Sequence, residues 1–96
     1  MWSASLAWQI EVSDEAKKQL AKIGRVEAKR ITAFLRQRVA SLDDPRQIGG
    51  PLQGAHFAGL WRYRVGDYRI LVDIQDGRLI VLVVGIGHRG EVYRQR

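Results

Sequence analysis

The sequence predicts a small α+β domain in the order β-α-α-β-β-β, with a helical hairpin packed on one face of a mostly antiparallel four-stranded sheet. Three observations carry this reading. Residues 8–12 alternate apolar and polar, the period of a half-buried strand. Residues 13–42 hold two apolar stripes at helical spacing, broken by Gly24-Arg25. Residues 60–85 hold three strand-like runs, separated by Gly66-Asp67 and Asp76-Gly77. Ninety-six residues, 46% of them hydrophobic, make one domain over 1–96, because two halves would each be too small to bury a core.

Each element has a local cause. Trp8-Gln9-Ile10-Glu11-Val12 is the first strand, expected beside the last. Ser13 is a helix N-cap, with Asp14 and Glu15 in the first turn where carboxylates meet the positive helix end. Ala16, Leu20 and Ile23 repeat along the first helix, and Gly24 stands where a C-cap glycine belongs. The second helix spans Val26 to Leu42, with Ala28, Ile31, Leu35, Val39 and Leu42 on one stripe. Asp43 to Gly59 contains both prolines and four glycines and reads as an irregular surface connection. Leu60 to Val65 and Tyr68 to Ile74 form a hairpin about Gly66-Asp67. A second two-residue turn at Asp76-Gly77 leads into a strand from Arg78 to Gly85. Leu79 to Val84 is apolar throughout, as expected of a central strand covered on both faces. Trp61 and Tyr63 are expected in the core, and His56 is a structural loop residue.

Composition removes several classes of function. With no cysteine there is no disulfide, thiol nucleophile or Cys-ligated zinc, and two histidines far apart in sequence predict no metal site. The longest apolar run, Leu79 to Ile86, falls far short of the roughly 20 residues of a spanning helix. The start lacks the basic and continuous apolar regions of a signal peptide. These features predict a soluble cytoplasmic domain with no membrane partner. Walker-type, HExxH, GxSxG and paired-carboxylate motifs are absent from the sequence. Sixteen Lys+Arg against ten Asp+Glu leave a net charge of +6, which favours a polyanionic partner.

The cations change in kind along the chain. All four lysines lie before residue 30, whereas the seven cations after Trp61 are all arginine. Arginine's planar fork fits phosphate at two points; lysine is a mobile point charge. Alternation in Trp61-Arg62-Tyr63-Arg64-Val65 puts Arg62 and Arg64 on the face opposite Trp61, Tyr63 and Val65. A two-residue turn at Gly66-Asp67 then sets Arg64 opposite Arg69. Like charges directly opposed cost a sheet on the order of a few tenths of a kcal/mol, an arrangement that stability alone does not favour. Solvated arginines on an open sheet face are the plain alternative to an anion cradle.

Beyond the central strand runs Gly85-Ile86-Gly87-His88-Arg89-Gly90-Glu91-Val92-Tyr93-Arg94, whose three glycines let the backbone bend sharply and a ligand approach closely. His88 can move protons near neutral pH, Arg89 can neutralise a phosphate transition state, and Tyr93 can donate a hydrogen bond or stack on a base. A surface histidine and a tail-anchoring tyrosine are the ordinary alternatives.

Gly66-Asp67-Tyr68-Arg69-Ile70 together with His88-Arg89-Gly90-Glu91-Val92-Tyr93, the Leu52-Gln53-Gly54 segment and the element order resemble the RelE/ParE toxin superfamily of bacterial toxin–antitoxin modules. The resemblance covers nearly the whole chain and is greatest to the RelE branch. It implies a toxin that acts as an endoribonuclease (an mRNA interferase), cleaving mRNA in the ribosomal A site without a metal or other cofactor and so inhibiting translation. The ribose 2′-oxygen attacks the adjacent phosphate. By position, Arg69 matches the residue that stabilises the transition state, Arg89 the one that assists the leaving group, and Tyr93 the one that orients or deprotonates the 2′-hydroxyl. Arg62 and Arg64 fall where some members carry lysines, one of them a proposed base. Arginine is a poor proton acceptor, so His88 or Tyr93 is the better candidate base, with Arg62 and Arg64 holding RNA phosphate. The implied partners are mRNA, the ribosome and a cognate antitoxin with an acidic or amphipathic segment. A ParE-like inhibitor of DNA gyrase and a non-catalytic RNA- or antitoxin-binding relative are the alternatives.

Overall fold

The computed structural model describes residues 8–52 and 59–88. Strand β1 (Gln9–Val12) leads into helices α1 (Asp14–Ile23) and α2 (Arg25–Phe34). Strands β2 (Gly50–Pro51), β3 (Leu60–Val65), β4 (Tyr68–Gln75) and β5 (Ile80–His88) follow, and the sheet order is β1-β5-β4-β3-β2. β1 does lie beside the last strand, running parallel to β5, while the other pairings are antiparallel. The α+β class and the helical hairpin are as the sequence predicts. The sheet, however, has five strands rather than four. Gly50–Pro51 pairs with Trp61 and Arg62 at the sheet edge. Two residues are too few to show a period, and proline is tolerated in a strand at an edge.

The helices form where their caps place them. The Ala16 N–H donates to Ser13 Oγ at 3.1 Å, starting α1. Gly24 separates the helices at φ +99°, a conformation that disfavours any side chain. The second helix is not regular over its expected length: α2 passes at Leu35–Val39 into a π-helical turn, in which the Ala40 N–H donates to the Leu35 carbonyl at 2.9 Å. No glycine or proline announces that wider turn. It keeps Ile31, Leu35 and Val39 buried on one stripe, packed against Ile70, Val72, Val81 and Val83 of the sheet. None of the described helices is long and apolar enough to cross a membrane.

The connection after α2 is ordered by side chains. Trp8 Nε1–H donates to the Asp43 carbonyl at 3.2 Å, Tyr63 O–H to that of Pro45 at 2.6 Å, and Trp61 Nε1–H to that of Ile48 at 2.7 Å. Asp44 caps a single 3₁₀ turn at Pro45–Gln47. Gly49 sits at φ +83°, where a Cβ would collide with the Arg62 carbonyl. Tyr63 is 1% exposed, and that burial pushes its phenol well above the ordinary range. The expected core position of Tyr63 is therefore observed, while Trp61 is half-buried. His56 lies outside the described residues.

The β4–β5 connection departs from expectation. Asp76–Arg78 form a 3₁₀ turn, and Leu79 closes it in the left-handed region at φ 54°. Arg46 grips the Asp76 carboxylate through two hydrogen bonds of 2.9 Å, which hold that carboxyl below the usual carboxylate range. Strand β5 thus begins at Ile80 rather than Arg78, and it continues past Gly85 to His88. Its outer face is covered only in part. Val81 and Val83 are fully buried under the helices, whereas on the opposite face Ile80 is buried and Leu82 and Val84 are half-buried.

Candidate active site

The register of the β3–β4 hairpin follows from its turn. Val65 pairs with Tyr68 across Gly66-Asp67, Arg64 with Arg69, and Arg62 with Leu71. Tyr63 and Val65 point into the core, so Arg62, Arg64 and Arg69 share the open face. The opposed like charges expected from the sequence are present.

Of the described arginines, two are paired with carboxylates among the described residues. Arg30 pairs with Glu27 at 3.1 Å, and Arg46 with Asp76 at 2.9 Å. Among the described residues, Arg62, Arg64 and Arg69 have no carboxylate within salt-bridge distance. Arg64 is exposed and Arg62 half-buried, its guanidinium lying toward the edge strand: a Cβ on Gly50 would come within 3.3 Å of Arg62 Nη2. Arg69 is half-buried, and its Nε is fully covered with no hydrogen-bond partner among the described residues. A covered donor without an acceptor costs roughly 1–3 kcal/mol, and an anion above the face would supply the acceptor.

On its other side Arg69 pairs with Gly87 of β5, which has no side chain to cover the guanidinium. That juxtaposition depends on a β-bulge. Pairing runs Gln75–Ile80, Asp73–Leu82 and Val72–Val83, then skips Val84, so that Leu71 pairs with Gly85 and Tyr68 with His88. Plain alternation from Leu82 would carry Ile86 and His88 onto the open face with the arginines. The extra residue reverses this: Ile86 enters the core at 2% exposure, and His88 stands beside Tyr68 on the helix side. The Tyr68 and His88 rings meet edge-on, with centroids 5.5 Å apart at 84°. They border a cavity of about 370 Å³ that Gln19 and Lys22 of α1 also line.

The structure therefore brings together Arg62, Arg64 and Arg69 and places His88 across the sheet from them. Arg89 and Tyr93 lie outside the described residues. The glycine-rich stretch expected to bend sharply after Gly85 is strand through His88. Sequence reasoning missed Gly87 as the neighbour of Arg69, a pairing that depends on the bulge and has no local signal. It also missed Gln19, whose Oε1 accepts a hydrogen bond of 2.6 Å from the Ile86 N–H. The available signal was a polar residue lying between Ala16 and Ile23 beside the buried stripe of α1.

A sheet backed on one face by a helical hairpin, with three arginines of one strand hairpin on the other, defines a small basic α+β domain. The family described as the ParE toxin of type II toxin–antitoxin system, parDE, matches residues 10–93, and the chain belongs to that family, within the RelE/ParE superfamily of toxins. Toxin RelG of Mycobacterium tuberculosis (strain ATCC 25618 / H37Rv) is 35% identical over 52 residues, a stretch that covers 54% of this chain and 59% of RelG. Among solved structures, the toxin–antitoxin complex RelBE2 from Mycobacterium tuberculosis superposes with a TM-score of 0.78 at 22% identity, over 94% of this chain and 100% of that one. The intact E. coli RelBE toxin–antitoxin complex gives 0.69 at 20% identity, over 88% and 100%. These two likenesses establish the shared fold.

Proposed function

We propose that this toxin is an endoribonuclease that cleaves mRNA on the ribosome and so stops translation, with the open face of the β3–β4 hairpin as its phosphate site. The observation that carries the reading is the Arg62, Arg64 and Arg69 cluster, unpaired with any described carboxylate and with the Nε of Arg69 covered and unsatisfied. In this reading the ribose 2′-oxygen attacks the adjacent phosphorus, the P–O5′ bond breaks, and a 2′,3′-cyclic phosphate and a 5′-hydroxyl result. Arg69 stabilises charge on the pentacoordinate phosphate, and Arg62 and Arg64 hold flanking phosphates. Because His88 is on the helix side of the sheet, the 2′-hydroxyl proton is assigned to Tyr93 and leaving-group assistance to Arg89, both by resemblance.

The partner in this reading is an antitoxin, supported by the fold shared with toxins solved as RelBE complexes. An acidic segment would neutralise the arginine face. The toxin would act in the cytoplasm, where translating ribosomes are found. A second reading, inhibition of DNA gyrase, has the ParE description of the matching family in its favour.

Purified protein incubated with programmed ribosomes, followed by mapping of RNA 5′ ends, separates the two readings. New 5′-hydroxyl ends inside translated codons, with gyrase supercoiling unaffected, are expected. Intact mRNA with supercoiling inhibited would replace the nuclease reading with the second. In cells, expression alone should arrest growth and co-expression of the cognate antitoxin should restore it.

A further inference from the structure

We propose that Gln19 is a positioning residue that fixes the register of the end of β5 and thereby keeps Gly87, rather than Ile86, beside Arg69. β1 pairs with β5 only as far as Val83, so among the described residues the β5 edge beyond that point has no neighbouring strand on the β1 side. Gln19 stands there in place of a ladder partner, its Oε1 2.6 Å from the Ile86 amide nitrogen. This contact links α1 to the strand immediately after the bulge at Val84. A bulge can be lost by a slip of one residue, and such a slip turns every side chain beyond it to the other face.

The two registers have opposite consequences for the site. With the bulge, Gly87 flanks Arg69 and the Ile86 side chain is buried. Without it, Ile86 would pair with Arg69 and its side chain would lie on the open face beside the guanidinium, where a phosphate must approach. Gly85 would take the place of Ile86 opposite Ile70 under the helices, leaving a void there. Burial of Ile86 favours the bulged register; the Gln19 contact adds a directional constraint that burial does not supply. The effect on cleavage rests on the nuclease reading, whereas the effect on the strand does not.

Gln19→Leu removes the acceptor and Gln19→Glu retains one, so the pair forms the test. In Gln19→Leu, the nuclear Overhauser contact between the Tyr68 and His88 rings should weaken and the Ile86 amide should exchange faster with solvent. Cleavage should fall by on the order of 10- to 100-fold, since a misplacement of about 1 Å at a reacting centre has that effect. Gln19→Glu should restore all three. Unchanged ring contact and Ile86 exchange in Gln19→Leu would overturn the proposal, as would a lost ring contact with full cleavage, or cleavage that Gln19→Glu fails to restore. If the wild-type protein cuts no RNA, the nuclease reading fails by itself, and the ring contact and amide exchange still decide whether Gln19 holds the register.

Discussion

The two faces of β4 carry opposite kinds of design within eight residues. On the covered face Ile70 and Val72 are fully buried, and Ile74 nearly so. The aromatic donors beneath the sheet reach backbone acceptors: Tyr63 bonds Pro45 and Trp61 bonds Ile48. On the open face the same strand buries Leu71 but also sets Arg69 against Arg64 and leaves Arg69 Nε covered and unsatisfied. One face is saturated with interactions that favour folding. The other retains an arrangement that opposes it, and in proteins such departures gather where a ligand completes the chemistry.

That contrast can be broken from either side. The largest effect belongs to the covered face. Ile31 is fully buried between helix and sheet, and Ile31→Ala should lower stability by about 2–5 kcal/mol, read as a shift in the denaturant midpoint at constant slope. Tyr63→Phe comes next: it leaves the Pro45 carbonyl without its donor and should lower stability by about 1–3 kcal/mol. The melting temperature should fall by about 4–8 °C for each kcal/mol. Arg64→Gln should act in the opposite direction, raising stability by a few tenths of a kcal/mol through relief of repulsion with Arg69. A fall on that substitution would place Arg64 among the structural residues. The smallest effect is at the far end of the sheet, where Arg46 depresses the pKa of the Asp76 carboxyl. A depressed aspartate stabilises the fold above its unfolded-state pKa, and that contribution is lost as pH falls through the folded value. Asp76→Asn should therefore narrow the stability difference between neutral and acidic pH, measured by thermal melts across that range.

Much of the fold was legible because its period is carried by many residues. The capped helix after Ser13, the stripe of Ile31, Leu35 and Val39, and the Gly66-Asp67 hairpin all repeat a local signal. So was the arginine cluster, which needs only strand alternation and a two-residue turn. What escaped depended on single contacts between distant segments. β2 is too short for periodicity, and the 3₁₀ turn at Asp76–Arg78 is held by Arg46, thirty residues earlier. The side of the sheet on which His88 lies was not legible because nothing local marks Val84 as an extra residue. Its bulge is seen only in the β4–β5 register, and Gln19 contacts it from the other end of the chain.

The most direct test of the open face as a phosphate site is the single-turnover cleavage rate of Arg69→Ala on ribosome-bound mRNA, taken on protein whose melting temperature has been recorded. Loss of one positioned donor to a developing anion lowers rates by about 10²- to 10³-fold, and that loss is expected here with the melting temperature level or slightly raised. A normal rate, or a melting temperature lowered by many degrees, would contradict the account: the first would remove Arg69 from the chemistry, and the second would make it part of the scaffold.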